Sequence, residues 1–143
     1  LNLSYAYNDL NWYLGYNQQD NLNIDTTDTL LGATYEKKKF QLHGAVGTKK
    51  IDHIYTQKTY RIGARVPIEK NQKILASYTV HDYNIGNDST AQQIALGYTY
   101  GLSPKTSLYG IVSHNINDTN TSLNSTVLGK NSNIVTVGIN HIF

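Results

Sequence analysis

The sequence predicts an all-β fold, one antiparallel meander of about nine strands, on three observations. Apolar and polar residues alternate with period two along nearly the whole chain. No stretch carries a sustained helical stripe. Short turns and longer polar connections take turns between the alternating runs. Successive strand residues point to opposite faces, so each run presents one apolar and one polar face.

The runs can be taken in order. Leu1, Leu3, Tyr5 and Tyr7 share one face, and the turn at 8–11 follows. Trp12, Leu14 and Tyr16 then stand against Tyr13, Gly15 and Asn17, and a polar loop is expected over 18–28. Leu31, Ala33 and Tyr35 lead to the turn 36–39, after which Phe40, Leu42, Gly44 and Val46 oppose Gln41, His43, Ala45 and Gly47. A loop over 48–57 precedes Tyr60, Ile62, Ala64 and Val66, which oppose Thr59, Arg61, Gly63 and Arg65. Pro67 cannot donate to a ladder and is expected to end that strand. Ile74, Ala76, Tyr78 and Val80 oppose Leu75, Ser77, Thr79 and His81, and a loop is expected near 83–90. Ile94, Leu96, Tyr98, Tyr100 and Leu102 form the cleanest alternation. After the turn 102–105, Leu108, Gly110 and Val112 mark an eighth strand, and an Asn/Ser/Thr-rich loop over 115–130 precedes the last. In that last strand Val135, Val137, Ile139, His141 and Phe143 share the apolar face.

Composition bounds the function. A chain of 143 residues is read as a single domain, 1–143. It has no Cys, so thiolate metal sites, disulfides and cysteine nucleophiles are excluded. The net charge of +2 is too small to argue for nucleic acid, and Lys37-Lys38-Lys39 reads as a solvated turn. Nothing approaches the roughly 18–20 apolar residues of a membrane-spanning helix. Tyr accounts for 12 residues, which favours places where apolar and wet regions meet.

Periodicity alone does not say which face is buried. A soluble sandwich or barrel turns its apolar face inward, whereas a membrane barrel turns it to lipid and lines its lumen with the polar face. Two features favour the membrane. Tyr7, Trp12, Tyr35, Phe40, Tyr100 and Phe143 lie on the apolar face beside short turns or the terminus, as a girdle at the lipid interface requires. Gly15, Gly32, Gly63, Gly97 and Gly138 all fall on the polar face, where five strand glycines need a packing or curvature reason.

Several stretches resemble the Gram-negative trimeric general porins. They are Leu31-Gly-Ala-Thr-Tyr35 and its echo Leu96-Gly-Tyr-Thr-Tyr100, the unit Tyr60-Arg-Ile-Gly-Ala-Arg-Val-Pro67, and the end of the chain, Ala95 to Tyr109 and Val137 to Phe143. The resemblance implies a barrel of about sixteen strands in the outer membrane of a Gram-negative bacterium. This chain would be its C-terminal portion, with roughly seven N-terminal strands missing. It further implies a homotrimer, contact with outer-membrane lipid, and recognition of the terminal aromatic, here Phe143, by the barrel-assembly machinery. Its implied function is passive diffusion of small hydrophilic solutes and ions, with no catalysis and no cofactor. The family's acidic constriction loop would lie outside this chain, and the opposing basic wall falls on Arg61 and Arg65, with His43, His81 and Ser77 beside them as pore-lining residues. Asn140 and Ile142 stand where luminal basic residues are common in the family, which argues against a strongly anion-selective lumen.

Other chemistry finds little support. The five His residues have no metal-ligand spacing, so no metal site is expected. No nucleophile elbow accompanies the Ser, His and Asp residues, so no catalytic residue is assigned. Two other readings stay open: a small closed outer-membrane barrel with a structural or adhesive role, and a soluble ligand-binding β-barrel.

Overall fold

The computed structural model describes residues 1–21, 24–52 and 54–143. Its nine strands are β1 (Asn2–Tyr7), β2 (Leu10–Asn21), β3 (Ile24–Lys37), β4 (Phe40–Ile51), β5 (Tyr55–Glu69), β6 (Gln72–Tyr83), β7 (Thr90–Ser103), β8 (Thr106–Asn117) and β9 (Ser132–His141). They form one antiparallel sheet in sequence order, β1 to β9, so every strand pairs only with its chain neighbours. The meander and the strand count agree with the alternation in the sequence.

Four connections are two-residue turns, at 8–9, 38–39, 70–71 and 104–105, and all lie at one end of the sheet. Asn8 takes φ 52° in the first, a left-handed conformation that Asn tolerates better than most side chains. The opposite end carries the other four connections. Two of these depart from expectation. Residues 18–21 and 24–28 are paired strand, with Gln18 opposite Thr27 and Asp20 opposite Asp25. Residues 48–51 and 55–57 are also paired, Thr48 with Lys58 and Ile51 with Tyr55. The centres of those expected loops fall on Leu22, Asn23 and His53, which lie outside the described residues.

The reason is length. A tilted membrane strand needs about 9–11 residues to cross the hydrocarbon layer, and β3 has 14 and β5 has 15. Their surplus stands in water on both faces, so it is polar on both faces and loses the alternation that marks a strand. Pro67 is a second correction. It does not end β5, which continues to Glu69; the proline sits at a register shift opposite Lys73, where its missing N–H is tolerated.

Pairing is progressively staggered. One row of outward residues joins Leu10, Tyr35, Leu42, Ala64, Ala76, Leu96, Val112 and Val135. It meets the first residue of β2, the third of β4, the fifth of β6 and the seventh of β8. A constant slip of this kind tilts the strands, which is the condition for a sheet to curl into a barrel wall.

The sheet has almost no core. Ala91 is the only buried hydrophobic side chain among the described residues. Ile62, Leu96, Val135 and Val137 are 64%, 54%, 74% and 78% exposed, all on one face. An uncovered apolar face running across nine strands is far larger than a soluble monomer tolerates. The soluble reading has no interior into which these side chains could go.

Candidate functional site

The opposite face is polar and concave. One continuous hollow on it touches side chains from six strands, from Gln41 on β4 to Asn140 on β9. All five residues expected to line a pore lie on this face, in four successive rows running from the turn end to the loop end. Arg65 stands between Gln41 and Leu75. His43 and Ser77 flank Gly63 in the next row. Arg61 stands between Ala45 and Thr79, and His81 between Thr59 and Ala91.

The Arg61 row crosses all nine strands: Ser4, Tyr13, Gly32, Ala45, Arg61, Thr79, Gln93, Asn115 and Ser132. Arg61 donates from Nε to Thr79 Oγ1 at 3.2 Å, and it has no carboxylate within ion-pair distance among the described residues. Arg65 differs, because Glu36 Oε1 lies 4.0 Å from its guanidinium. Arg61 is therefore the uncompensated cation of the wall's middle. His81 is held by neighbours instead: its Nδ1 lies 2.9 Å from Gln57 Nε2 and 3.0 Å from Thr59 Oγ1.

The glycines of this face have a packing role at three of the five positions. A Cβ on Gly32 would overlap the Tyr13 ring, and one on Gly63 would overlap the His43 imidazole. Gly138 lies under Tyr109 in the same way. Each aromatic ring lies flat across the strand beside it and covers the bare backbone, which keeps the lumen side low and the ladder shielded.

One feature of this face was not legible beforehand. The connection between β8 and β9, residues 118–131, folds over the polar face at the loop end. Asn117 holds it there, donating from Nδ2 to Leu123 O (3.1 Å) and Lys130 O (2.8 Å), and accepting from Leu123 N (2.6 Å). The Thr121 hydroxyl reaches Asn117 Oδ1 at 3.4 Å and Thr90 O at 3.2 Å. Asn120 Nδ2 ties the segment to Asn87 O at 2.8 Å, in the β6–β7 connection. As a result Asn115 and Ala91 are fully buried and Asn117 is 7% exposed. The segment forms a fixed polar ledge on the concave side. Its sequence signal is faint: an Asn-rich stretch without period, with Asn115 and Asn117 two apart on the polar face.

The six girdle aromatics all lie on the convex face near the turn end. Tyr35 and Phe40 face each other across a turn with ring centres 6.1 Å apart. Phe143 packs edge-on against His141 at 4.9 Å, and His141 Nδ1 lies 2.8 Å from Thr106 Oγ1. Aromatics are not confined to that end, however. Tyr60 and Tyr78 stand near mid-strand on the same face, and the Tyr78 hydroxyl donates to Gln92 Oε1 at 2.6 Å. Among the described residues no cluster of His and carboxylates is placed to hold a metal ion; His53 lies outside them.

Known proteins share this architecture. A model of the family described as Gram-negative porin matches residues 1–120. The outer membrane porin protein 32 of Delftia acidovorans is 32% identical over 93 residues, which is 62% of this chain and 26% of that protein. The anion-selective porin from Comamonas acidovorans superposes with a TM-score of 0.88 at 27% identity, over 99% of this chain and 48% of that one. A loop-deletion form of OmpT, an outer membrane protein of Vibrio cholerae, shares the fold at a TM-score of 0.74 and 12% identity, over 98% of this chain and 51% of that one. The chain thus spans about a quarter of the curated relative and about half of the solved barrels. With its lipid-facing apolar surface and polar concave wall, it belongs to the Gram-negative porin family of the bacterial outer membrane.

Proposed function

We propose that this chain forms part of the wall of a water-filled barrel through which small hydrophilic solutes and ions diffuse passively, with no catalytic step and no cofactor. The single observation that carries the reading is the inversion of faces. Nine strands leave their apolar side uncovered and gather Arg61, Arg65, His43, His81 and Ser77 on the concave side. The open edges, β1 and β9 each paired on one side only, support reading the nine strands as part of a larger barrel. That open sheet speaks against the small closed barrel. Contact with outer-membrane lipid falls on the convex face. Family membership supports extending the proposal to assembly as a homotrimer and to recognition of Phe143 by the barrel-assembly machinery.

A moderate preference for anions fits the wall. Arg61, Arg65, Lys49 and Lys73 face the lumen, against Asp28 and Glu36. Asp28 stands opposite Lys49 and Glu36 lies beside Arg65, which leaves Arg61 to set the sign at mid-height. The relative from Comamonas acidovorans is described as anion-selective, and Asn140, on the same concave face, contributes no charge here. Full-length protein added to a planar bilayer should give stepwise conductance with a reversal potential on the anion side. Protein that inserts and never conducts would refute the channel.

A further inference from the structure

The charges of this chain are sorted along the strands. The turn end holds Arg65 and six of the ten lysines, namely Lys37, Lys38, Lys39, Lys70, Lys73 and Lys105. It also holds both glutamates, Glu36 and Glu69, but only one aspartate, Asp9, so its seven cations and three acids leave +4. The other seven aspartates all lie at the loop end, where only Lys49, Lys50, Lys58 and Lys130 oppose them, leaving −3. Arg61, seventh of the 15 residues of β5, stands between the two and completes the chain's net +2.

The sorting does not come from strand geometry, which puts no sign on either end. It also persists near the lumen. There Asp28 faces Lys49 and Glu36 lies beside Arg65, so Arg61 and Lys73 are the cations left over in the middle and turn half. Asp88 and Asp118 stand at the loop end, in or beside the ledge, where Asp118 Oδ2 accepts from Thr90 N at 3.2 Å.

We infer that the channel is electrically polarised along its axis, acidic at the loop mouth and basic at the turn mouth, and therefore conducts asymmetrically. The inference rests on the channel reading above. When the loop side is positive, cations enter from the mouth that attracts them and anions from the mouth that attracts them. Both carriers then accumulate in the pore and current rises. The opposite polarity withdraws both and current falls. Fixed charges act in this way only over a Debye length, about 30 Å at 0.01 M salt and about 3 Å at 1 M.

The test uses single channels of full-length protein, with the loop side identified by a thiol reagent added to one compartment of a Thr126→Cys background. At about 0.01 M salt the current ratio between polarities should exceed one, with the larger current when the loop side is positive, and should fall to one near 1 M. Replacing turn residues Lys38, Lys39 and Lys70 with Gln should bring the low-salt ratio toward one, Arg in the same places should restore it, and Asp88→Asn should lower it. Channels that conduct equally in both directions at low salt overturn the inference and leave the channel standing. So does a low-salt ratio that Lys38→Gln, Lys39→Gln and Lys70→Gln together do not move. Absence of any conductance overturns the channel itself.

Discussion

Asn117→Ala isolates the ledge from the wall beneath it. The substitution removes four contacts: two donated bonds to Leu123 O and Lys130 O, one accepted from Leu123 N, and the longer one from Thr121. Each net bond is worth about 0.5–1.5 kcal/mol, and a buried partner left bare adds more. The Thr121 contact at 3.4 Å is weak, and water can refill part of the space. A loss of about 3 kcal/mol is reasonable on that scale. The loss falls on the local opening of residues 118–131, because β8 and β9 keep their own ladder from Thr106–His141 to Asn115–Ser132. At about 1.4 kcal/mol per tenfold, local opening becomes about a hundredfold more frequent. Amide hydrogen exchange reads this directly. The Leu123 and Gly129 amides, which now donate to Asn117 Oδ1 and Thr121 O, should exchange about a hundredfold faster, while β3–β4 amides stay unchanged. Asn124→Gly, which removes a single 3.4 Å contact to Asn115 and keeps the left-handed backbone at φ 52°, serves as the control and should change little. Unchanged exchange at Leu123, or equal acceleration in β3–β4, would refute the ledge as a separately held unit.

Four other outcomes follow from named contacts. Arg61→Gln should lower the anion-to-cation permeability ratio about sevenfold, since one charge acting through water at about 7 Å attracts an anion and repels a cation by about 0.6 kcal/mol each; reversal potentials in a salt gradient measure it. Ile62→Arg places a charge mid-strand on the lipid face and should cost about 2–4 kcal/mol of folding free energy in bilayers, whereas Ser77→Arg on the luminal side should leave folding intact and alter selectivity. Gly32→Val should destabilise the barrel by about 1–3 kcal/mol through overlap with Tyr13, and Tyr13→Ala in the same chain should relieve part of that cost in urea unfolding. Removing Phe143 should reduce assembled barrel in the outer membrane while leaving in vitro folding into detergent intact, since its ring touches only His141 at the sheet's rim.

Much of the fold was legible because a membrane sheet repeats its rule on every strand. Over 12–17, 31–35 and 40–46, and again from Ile94 to Leu102, successive residues alternate between an apolar and a more polar face, and the structure places each on the expected face. The signal failed where its cause stopped. Gln18–Asp20 and Thr48–Lys50 rise past the hydrocarbon layer, both of their faces are wet, and paired strand there reads as loop. Pro67 misled for a related reason: a proline forbids a donated bond and not a strand, and a register shift at that point removes the need for the donor. The luminal residues could be assigned because polarity and period fix the face. What they touch could not, since the Arg61–Thr79 and Arg65–Glu36 pairings depend on strand register.

Register also explains why the wall and the ledge divide their work. Because each hairpin slips the outward row by two residues, the strands lean, and Asn117, the last residue of β8, shares a row with Ala91, His81 and Thr59, the fifth residue of β5. The ledge extends the contact: Asn120, Thr121 and Leu123 border the same hollow as Tyr55 and Tyr83. Tyr55 and Tyr83 meet edge-on at 6.0 Å, which gives that hollow a firm aromatic side. Between Asp118 and Lys130, whose opposite charges sum to zero, the segment is free of charged side chains, so pinned to Asn117 it changes the width of the path without changing the net charge there. Charge enters one row below, at Arg61. If this division holds, loosening the ledge with Asn117→Ala raises conductance with little shift in reversal potential, and Arg61→Gln shifts reversal potential with little change in conductance at high salt. A variant of either residue that moves both quantities together would show that width and charge are set by the same elements after all.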